Sequence, residues 1–265
     1  MAAQGSGSLS EKAIVVDPQS QAADRFRSPM HLPTSWTDSP LLLRGMLTML
    51  LLIAPATAPA QALAPPLQAQ LDAAVLDYES GHRTRAQQAF ESLAAKGVAA
   101  AHYNLAVMHL SGDLPHASRQ RGVQLLTRAA RGGFITAQLL LGRALENGDF
   151  GPRDLQQAHR WYEVAAVGGS VEAQVAMGTA HYLGRGLPKD ALRASHWFRE
   201  ASKAGDVGAM YLLASMYEQG DGVDTDLRLA RYWYGLAGKA GDPAGTAKAQ
   251  ELERKAAASA PTTPP

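Results

Sequence analysis

Between residues 154 and 169 the apolar side chains fall on one side of a helix. Ala158, Trp161, Tyr162, Ala165 and Ala166 stand at i, i+3, i+4, i+7 and i+8, the spacing of an amphipathic helix. The next stretch carries Ala173, Val175, Ala176, Met177 and Ala180, and Gly184 follows it. Glycine suits the left-handed conformation at which helices commonly end. These stretches predict alternating helices, A and B, joined by short turns.

The pattern then repeats every 36 residues without slippage. Gly97, Gly133, Gly169, Gly205 and Gly241 keep that interval, as do Gly112, Gly148, Gly184 and Gly220. Trp161, Trp197 and Trp233 do the same, each followed by an aromatic, and Ala101, Ala137, Ala173 and Ala209 mark the unit starts. Asp154, Asp190 and Asp226 sit at the start of each B helix, where the helix dipole favours a carboxylate. Lys203 and Lys239 sit near the far end, where it favours a cation. The expected core of the repeat is the ladder Trp161, Trp197 and Trp233, with Gly133, Gly169, Gly205 and Gly241 ending the B helices. Trp197, flanked by units on both sides, is expected to be well buried.

The fourth unit reads Ala209, Leu213, Tyr217, Gly220, Gly222, Val223, Asp226, Ala230, Trp233, Tyr234, Ala237 and Gly241. This pattern resembles the Sel-one-like repeat, a relative of the tetratricopeptide repeat. The resemblance covers residues 101–244 as four units, 101–136, 137–172, 173–208 and 209–244. The first unit departs most, with Leu125 and Leu126 in place of the tryptophan–aromatic pair and Gly122 in place of the alanine. Residues 63–100 read as a degenerate first hairpin and 245–258 as a capping helix. The expected fold is an all-α, right-handed α/α solenoid of about five helix hairpins plus that C-terminal cap, since terminal units of a solenoid are atypical.

Composition narrows the function. With 46% hydrophobic and only 6% aromatic residues, the chain suits closely packed helices better than a sandwich or barrel. Net charge is +1, which argues against nucleic acid as a partner. There are no cysteines, so disulfides, thiolate metal sites and cysteine nucleophiles are excluded. No G-x-S-x-G, H-E-x-x-H or Walker A pattern occurs. Gly184-Arg185-Gly186 and Gly220-Asp221-Gly222 lack the third glycine of a dinucleotide loop and follow helices. Asp221, Asp224 and Asp226 lack the glycine and glutamate of a calcium loop. His109 and His181 occupy a column that holds Leu145 and Tyr217 elsewhere, which marks a packing position. The expectation is a protein without enzymatic activity, cofactor or metal.

Residues 1–45 show no apolar periodicity and read as disordered or as an over-long start, and 259–265 as a disordered tail. Residues 46–62 combine the apolar run Met46–Ala54 with an Ala60-Gln61-Ala62 end, behind Arg44. That is the form of a secretory signal peptide. Cleavage near Ala62 places the mature protein in the periplasm or outside the cell, with no stable membrane span; the alternative is an uncleaved anchor.

Function then falls to the A-helix residues that the hairpin core does not need. By unit these are Tyr103, Val107 and Leu110; Leu139, Arg143 and Glu146; Val175, Thr179 and Tyr182; and Tyr211, Ser215 and Glu218. In the tetratricopeptide fold the matching positions line the concave groove. The resemblance implies a non-catalytic protein–protein interaction scaffold or regulator of the bacterial cell envelope. The alternative it implies is a module for envelope polysaccharide or peptidoglycan fragments. Some cysteine-rich relatives have been described as β-lactamases, but this chain has neither those cysteines nor an S-x-x-K motif.

Overall fold

The computed structural model describes residues 63–259. The expected leader, 46–62, the stretch 1–45 and all but Ser259 of the expected tail lie outside the described residues; Ser259 ends a helix. Eleven helices and no strand occur among the described residues. In chain order they are α1 (Pro65–Glu79), α2 (Arg83–Ala95), α3 (Ala99–Leu110), α4 (Arg119–Arg131), α5 (Ile135–Asn147) and α6 (Leu155–Val167). Then come α7 (Val171–Leu183), α8 (Ala191–Lys203), α9 (Val207–Gln219), α10 (Leu227–Lys239) and α11 (Pro243–Ser259). The strong helix–helix contacts all join sequence neighbours. That is the quasi-one-dimensional packing of a solenoid.

The fixed repeat length comes from fixed caps. Asp154, Asp190 and Asp226 precede α6, α8 and α10, and their carboxylates accept from the backbone N–H groups of Gln157 (2.9 Å), Arg193 (2.9 Å) and Leu229 (3.1 Å). Gly148, Gly184 and Gly220 close α5, α7 and α9 in the left-handed conformation. Between caps of invariant position, α4 to α10 are each thirteen residues long.

The caps carry a pH dependence. Hydrogen bonds from backbone N–H groups hold the Asp154 and Asp226 carboxyls below the ordinary aspartate value. A depressed carboxyl contributes stability that is complete above its unfolded value, about pH 4, and that disappears as pH falls through the folded value. Asp154→Asn/Asp226→Asn keeps an N-cap acceptor but removes the titration. Its melting temperature should therefore fall less steeply below about pH 4 than that of the parent chain, in a series of thermal melts.

The buried clusters straddle the unit boundaries. Ala158, Tyr162, Ala165 and Ala166 of α6 pack with Ala173 and Met177 of α7. Ala194, Phe198 and Ala201 of α8 pack with Ala209, Leu213 and Met216 of α9. Alanine at these contacts lets helix axes approach closely. Two buried glutamines sew the same boundaries: Gln138 donates to Ala130 O and Gln174 to Ala166 O, each at 3.1 Å, so the first turn of an A helix satisfies the end of the preceding B helix.

The tryptophan ladder is not the centre of the core. Trp161, Trp197 and Trp233 are only partly buried. The residues after the two outer tryptophans, Tyr162 and Tyr234, are 4% and 1% exposed, and Phe198 is 1% exposed. Trp197 leans instead on the cluster of α6 and α7, and Trp233 on that of α8 and α9, so each ring clips its hairpin to the one before. One helix face holds both aromatics of the pair; the second points into the hairpin and the first lies at its edge.

Candidate interaction face

The twelve A-helix positions separate into three columns with different fates. The last column, Leu110, Glu146, Tyr182 and Glu218, belongs to the hairpin seam. Tyr162 Oη donates to Glu146 Oε2 at 2.7 Å, and Tyr234 Oη donates to Glu218 Oε2 at 2.9 Å. In the unit between them Phe198 has no hydroxyl, and the partner is Tyr182, with ring centroids 6.4 Å apart at an edge-on angle of 63°. In the first unit the same two columns hold Leu126 and Leu110, and Leu110 lies against Gly122 of α4. Burial pushes the Tyr162 and Tyr234 hydroxyls well above the ordinary tyrosine value, and the acceptor carboxylates push them further. Both phenols therefore remain donors. Glu146 also meets Arg185 at 3.1 Å, and Glu218 meets Lys248 of the capping helix at 3.1 Å.

Glu146, Tyr182 and Glu218 are thus corrected from free groove residues to seam residues. The signal lay in the sequence, but in pairs of columns: glutamate accompanies tyrosine, tyrosine accompanies phenylalanine, leucine accompanies leucine. Tyr182→Ala should accordingly lower stability by about 1–2 kcal/mol, more than a surface change, through loss of an aromatic pair and its burial. Tyr182→Phe keeps the ring pair and gives up only the hydroxyl's hydrogen bond to Asp221, so it should cost less than Tyr182→Ala, at most about 1 kcal/mol, in the same thermal melts.

The first column is largely covered. Tyr103 is 4% exposed, its ring lies 4.9 Å from that of Phe134, and burial pushes its hydroxyl up to about 12. Val107 is 5% exposed. Neither lines a groove: Phe134 of the following unit lies against Tyr103, and Val107, the first member of the middle column, is buried in the same cluster. Leu139 and Val175 are partly buried against the next cluster, and Tyr211 packs beside Tyr234 with centroids 5.0 Å apart.

What remains is the middle column after the first unit, Arg143, Thr179 and Ser215, since its first member, Val107, is buried. Arg143 is half-exposed and forms an ion pair with Glu172, at the start of the next A helix. Ser215 accepts from Gln219 Nε2 at 3.1 Å, and Thr179 is partly exposed. These side chains form a short polar row with the edges of Tyr182 and Tyr211 beside it.

Two histidines stand apart from that row. His159 of α6 and His181 of α7 are each 6% exposed, and the Nδ1 atom of each is buried without a hydrogen-bond partner. Both line a cavity of about 380 Å³ between the two helices. His181 is in a packing column, as expected, but His159 was invisible to an argument that compared A helices only with one another. Among the described residues, no three His, Cys, Asp or Glu side chains gather as a metal site. No helix among them is long and apolar enough to cross a membrane.

Comparison with known proteins fits this geometry. The Sel1 repeat model matches residues 99–134, 135–170, 171–206 and 207–242. Those units begin at the first residues of α3, α5, α7 and α9, two residues before the frame that starts at Ala101. No curated protein is similar enough to count as a match. Among solved structures, the protective antigen c5321 of uropathogenic Escherichia coli, which displays an SLR fold, shares 26% identity over 73% of this chain and 42% of its own length, with a TM-score of 0.64. The chain thus spans less than half of that antigen. A Sel1 repeat protein from Oxalobacter formigenes is 35% identical over 49% of this chain and 98% of its own, with a TM-score of 0.47. With four repeats matched across more than half of the sequence and an all-helical solenoid to carry them, the chain belongs to the Sel1 repeat family, whose members are generally protein-interaction scaffolds.

Proposed function

We propose that this protein is a non-catalytic scaffold of the bacterial cell envelope that binds a protein partner along the A-helix face, centred on Arg143, Thr179 and Ser215. The observation that carries this reading is the middle column itself. After the first unit, where Val107 is buried, its side chains stay exposed or partly exposed on three successive A helices, with Arg143 paired to Glu172 and Ser215 beside the Tyr234 hydroxyl. Arginine is favoured at binding hot spots. The Arg143–Glu172 pair is exposed, so breaking it should change stability by no more than about 1 kcal/mol. This leaves Arg143 available for exchange onto a partner's carboxylate.

Envelope residence rests on residues 46–62 read as a cleaved leader, and the antigen of similar fold in a uropathogen is consistent with it. Intact-mass analysis of the protein from envelope extract tests it. A chain beginning near Leu63 supports export, and a cytosolic chain retaining Met46–Ala54 overturns it. Pull-down from that extract, set beside a glycan array, tests the class of partner. Arg143-dependent capture of one protein supports the scaffold. Arg143-dependent glycan binding without protein capture would assign the face to envelope polysaccharide instead.

A further inference from the structure

We propose that the exposed face of α4, on the B-helix side of the solenoid, docks on a bilayer of anionic phospholipid and takes the headgroup phosphates on Arg121, Arg128 and Arg131. The three arginines stand at i, i+7 and i+10 of one helix, and all are exposed. That spacing holds them within about 80° of one another around the helix axis and spreads them along about 15 Å. α4 carries no carboxylate. Among the described residues, none of the three guanidinium groups is engaged in an ion pair or a hydrogen bond.

The other B helices treat these columns differently. Arg85 of α2 is paired with Asp77 at 3.3 Å. Arg193 and Lys203 of α8 are paired with Asp190 at 3.4 Å and Glu200 at 2.7 Å. On α10 the columns hold Leu229, Leu236 and the single cation Lys239. The chain as a whole has a net charge of only +1, so attraction to an anionic surface must come from a local excess. Residues 99–134 supply it, with four arginines against one acid, Asp113, which already accepts from Tyr78 Oη. The excess is felt on the helix beneath. Burial holds His102 of α3 below the ordinary histidine value, and Arg128 and Arg121 lower it further. Burial lowers His109 too, and Arg121 adds to the effect while Glu91 of α2 opposes it.

The surroundings of the row favour a bilayer over an acidic polypeptide. Protein interfaces are centred on large aromatic or arginine anchors seated in desolvated pockets. Here the arginines stand open to water, and α2, α3 and α4 bear none of the exposed large hydrophobics among the described residues. The apolar neighbours are instead Val164 and Val167 of α6. They are 49% and 63% exposed and occupy the columns of Arg128 and Arg131 one unit on. Cations at the level of the phosphates, with small aliphatic side chains at the edge of the acyl region, make an interfacial surface. The planar fork of arginine also matches phosphate oxygens two at a time.

The test is co-sedimentation of the full chain with vesicles of phosphatidylcholine, with and without phosphatidylglycerol, at about 0.1 M salt. Binding is expected to require phosphatidylglycerol and to vanish at about 1 M salt, where the Debye length falls to about 3 Å. Arg121→Gln, Arg128→Gln and Arg131→Gln should each weaken it about fivefold, and the triple variant about a hundredfold. All three sites are exposed, and glutamine already stands in the column of Arg121 at Gln157, so the variants should melt with the parent. Arg254→Gln, at an exposed site of α11, removes the same charge elsewhere and should leave binding unchanged. Binding that does not depend on phosphatidylglycerol, no binding at all, or equal losses from Arg254→Gln and Arg128→Gln would overturn the proposal. Poly-glutamate is the competing probe. If it binds with the same dependence on the arginines while the anionic vesicles do not, the face belongs to an acidic polypeptide and the lipid assignment fails. None of these outcomes alters the reading of the A-helix face.

Discussion

Phe198→Ala should destabilise the protein by about 3–5 kcal/mol, the range for truncating a fully buried aromatic. The ring is 1% exposed and lies at the centre of the cluster made by α8 and α9. Gly178 lets it approach α7 so closely that a Cβ there would stand 2.7 Å from Phe198 Cε1. Backbone packed at that distance cannot collapse into the space left by the ring, so the cavity remains. Trp197→Ala removes a larger side chain but should cost only about 2 kcal/mol, because part of the ring already meets water. The two losses also fall in different places. Phe198 belongs to the cluster of α8 and α9, while Trp197 clips its hairpin to α6 and α7. Coupling in a solenoid is between neighbours, so the tryptophan variant should broaden or split the unfolding transition even where its total loss is smaller. Denaturant unfolding of both variants distinguishes the effects. Equal losses from the two rings would return Trp197 to the core.

Gly222→Ala should be almost as damaging, at about 2–5 kcal/mol. The left-handed backbone, with φ of 71°, costs an L-residue about 1–2 kcal/mol. Overpacking adds about 1–3 kcal/mol. A Cβ at this position would stand 2.2 Å from the Ala191 carbonyl carbon, which is backbone at the start of α8 and cannot swing aside. Gly169→Ala provides the control. Its φ is 94°, yet a Cβ there meets nothing within 4 Å, so only the conformational part, about 1–2 kcal/mol, should appear. The difference between the two melts measures how tightly the turn after one A helix rests on the preceding B helix. Equal melting temperatures would mean that the turn can move away.

These two positions show what the sequence could disclose. The register, the alternating helices and the aspartate caps were legible because each follows from local spacing: a carboxylate before a helix and a glycine after it act within one turn of chain. The glycine pair Gly220 and Gly222 was legible as a turn, but the reason for the second glycine was not, because Ala191 lies two helices earlier, at the start of α8. The tryptophans misled for a related cause. Trp197 and Phe198 share one apolar face, and only the neighbouring hairpin decides which is sealed. The candidate face was misjudged in the same way. Glu146 and Glu218 look free along their own helix, but a tyrosine hydroxyl sixteen residues further on claims each of them. Tyr103 and Val107 were lost to the face because both are buried in the first cluster, Tyr103 against Phe134 of the following unit. Contacts within a helix can be read in one dimension; contacts between units require columns to be read in pairs.

Photo-crosslinking in the living cell tests the central claim most directly. A benzoyl-phenylalanine is placed in turn at Thr179 and Ser215 on the A helices, and at Val164 and Leu229, which are exposed on B helices. Val164 and Leu229 are exposed and Thr179 and Ser215 partly so, and a thermal melt of each labelled chain checks that it folds. The scaffold account predicts discrete protein adducts of the same mass from Thr179 and Ser215, weakened by Arg143→Ala, and none from Val164 or Leu229. Adducts confined to Val164 and Leu229, or none from either A-helix position, would contradict it.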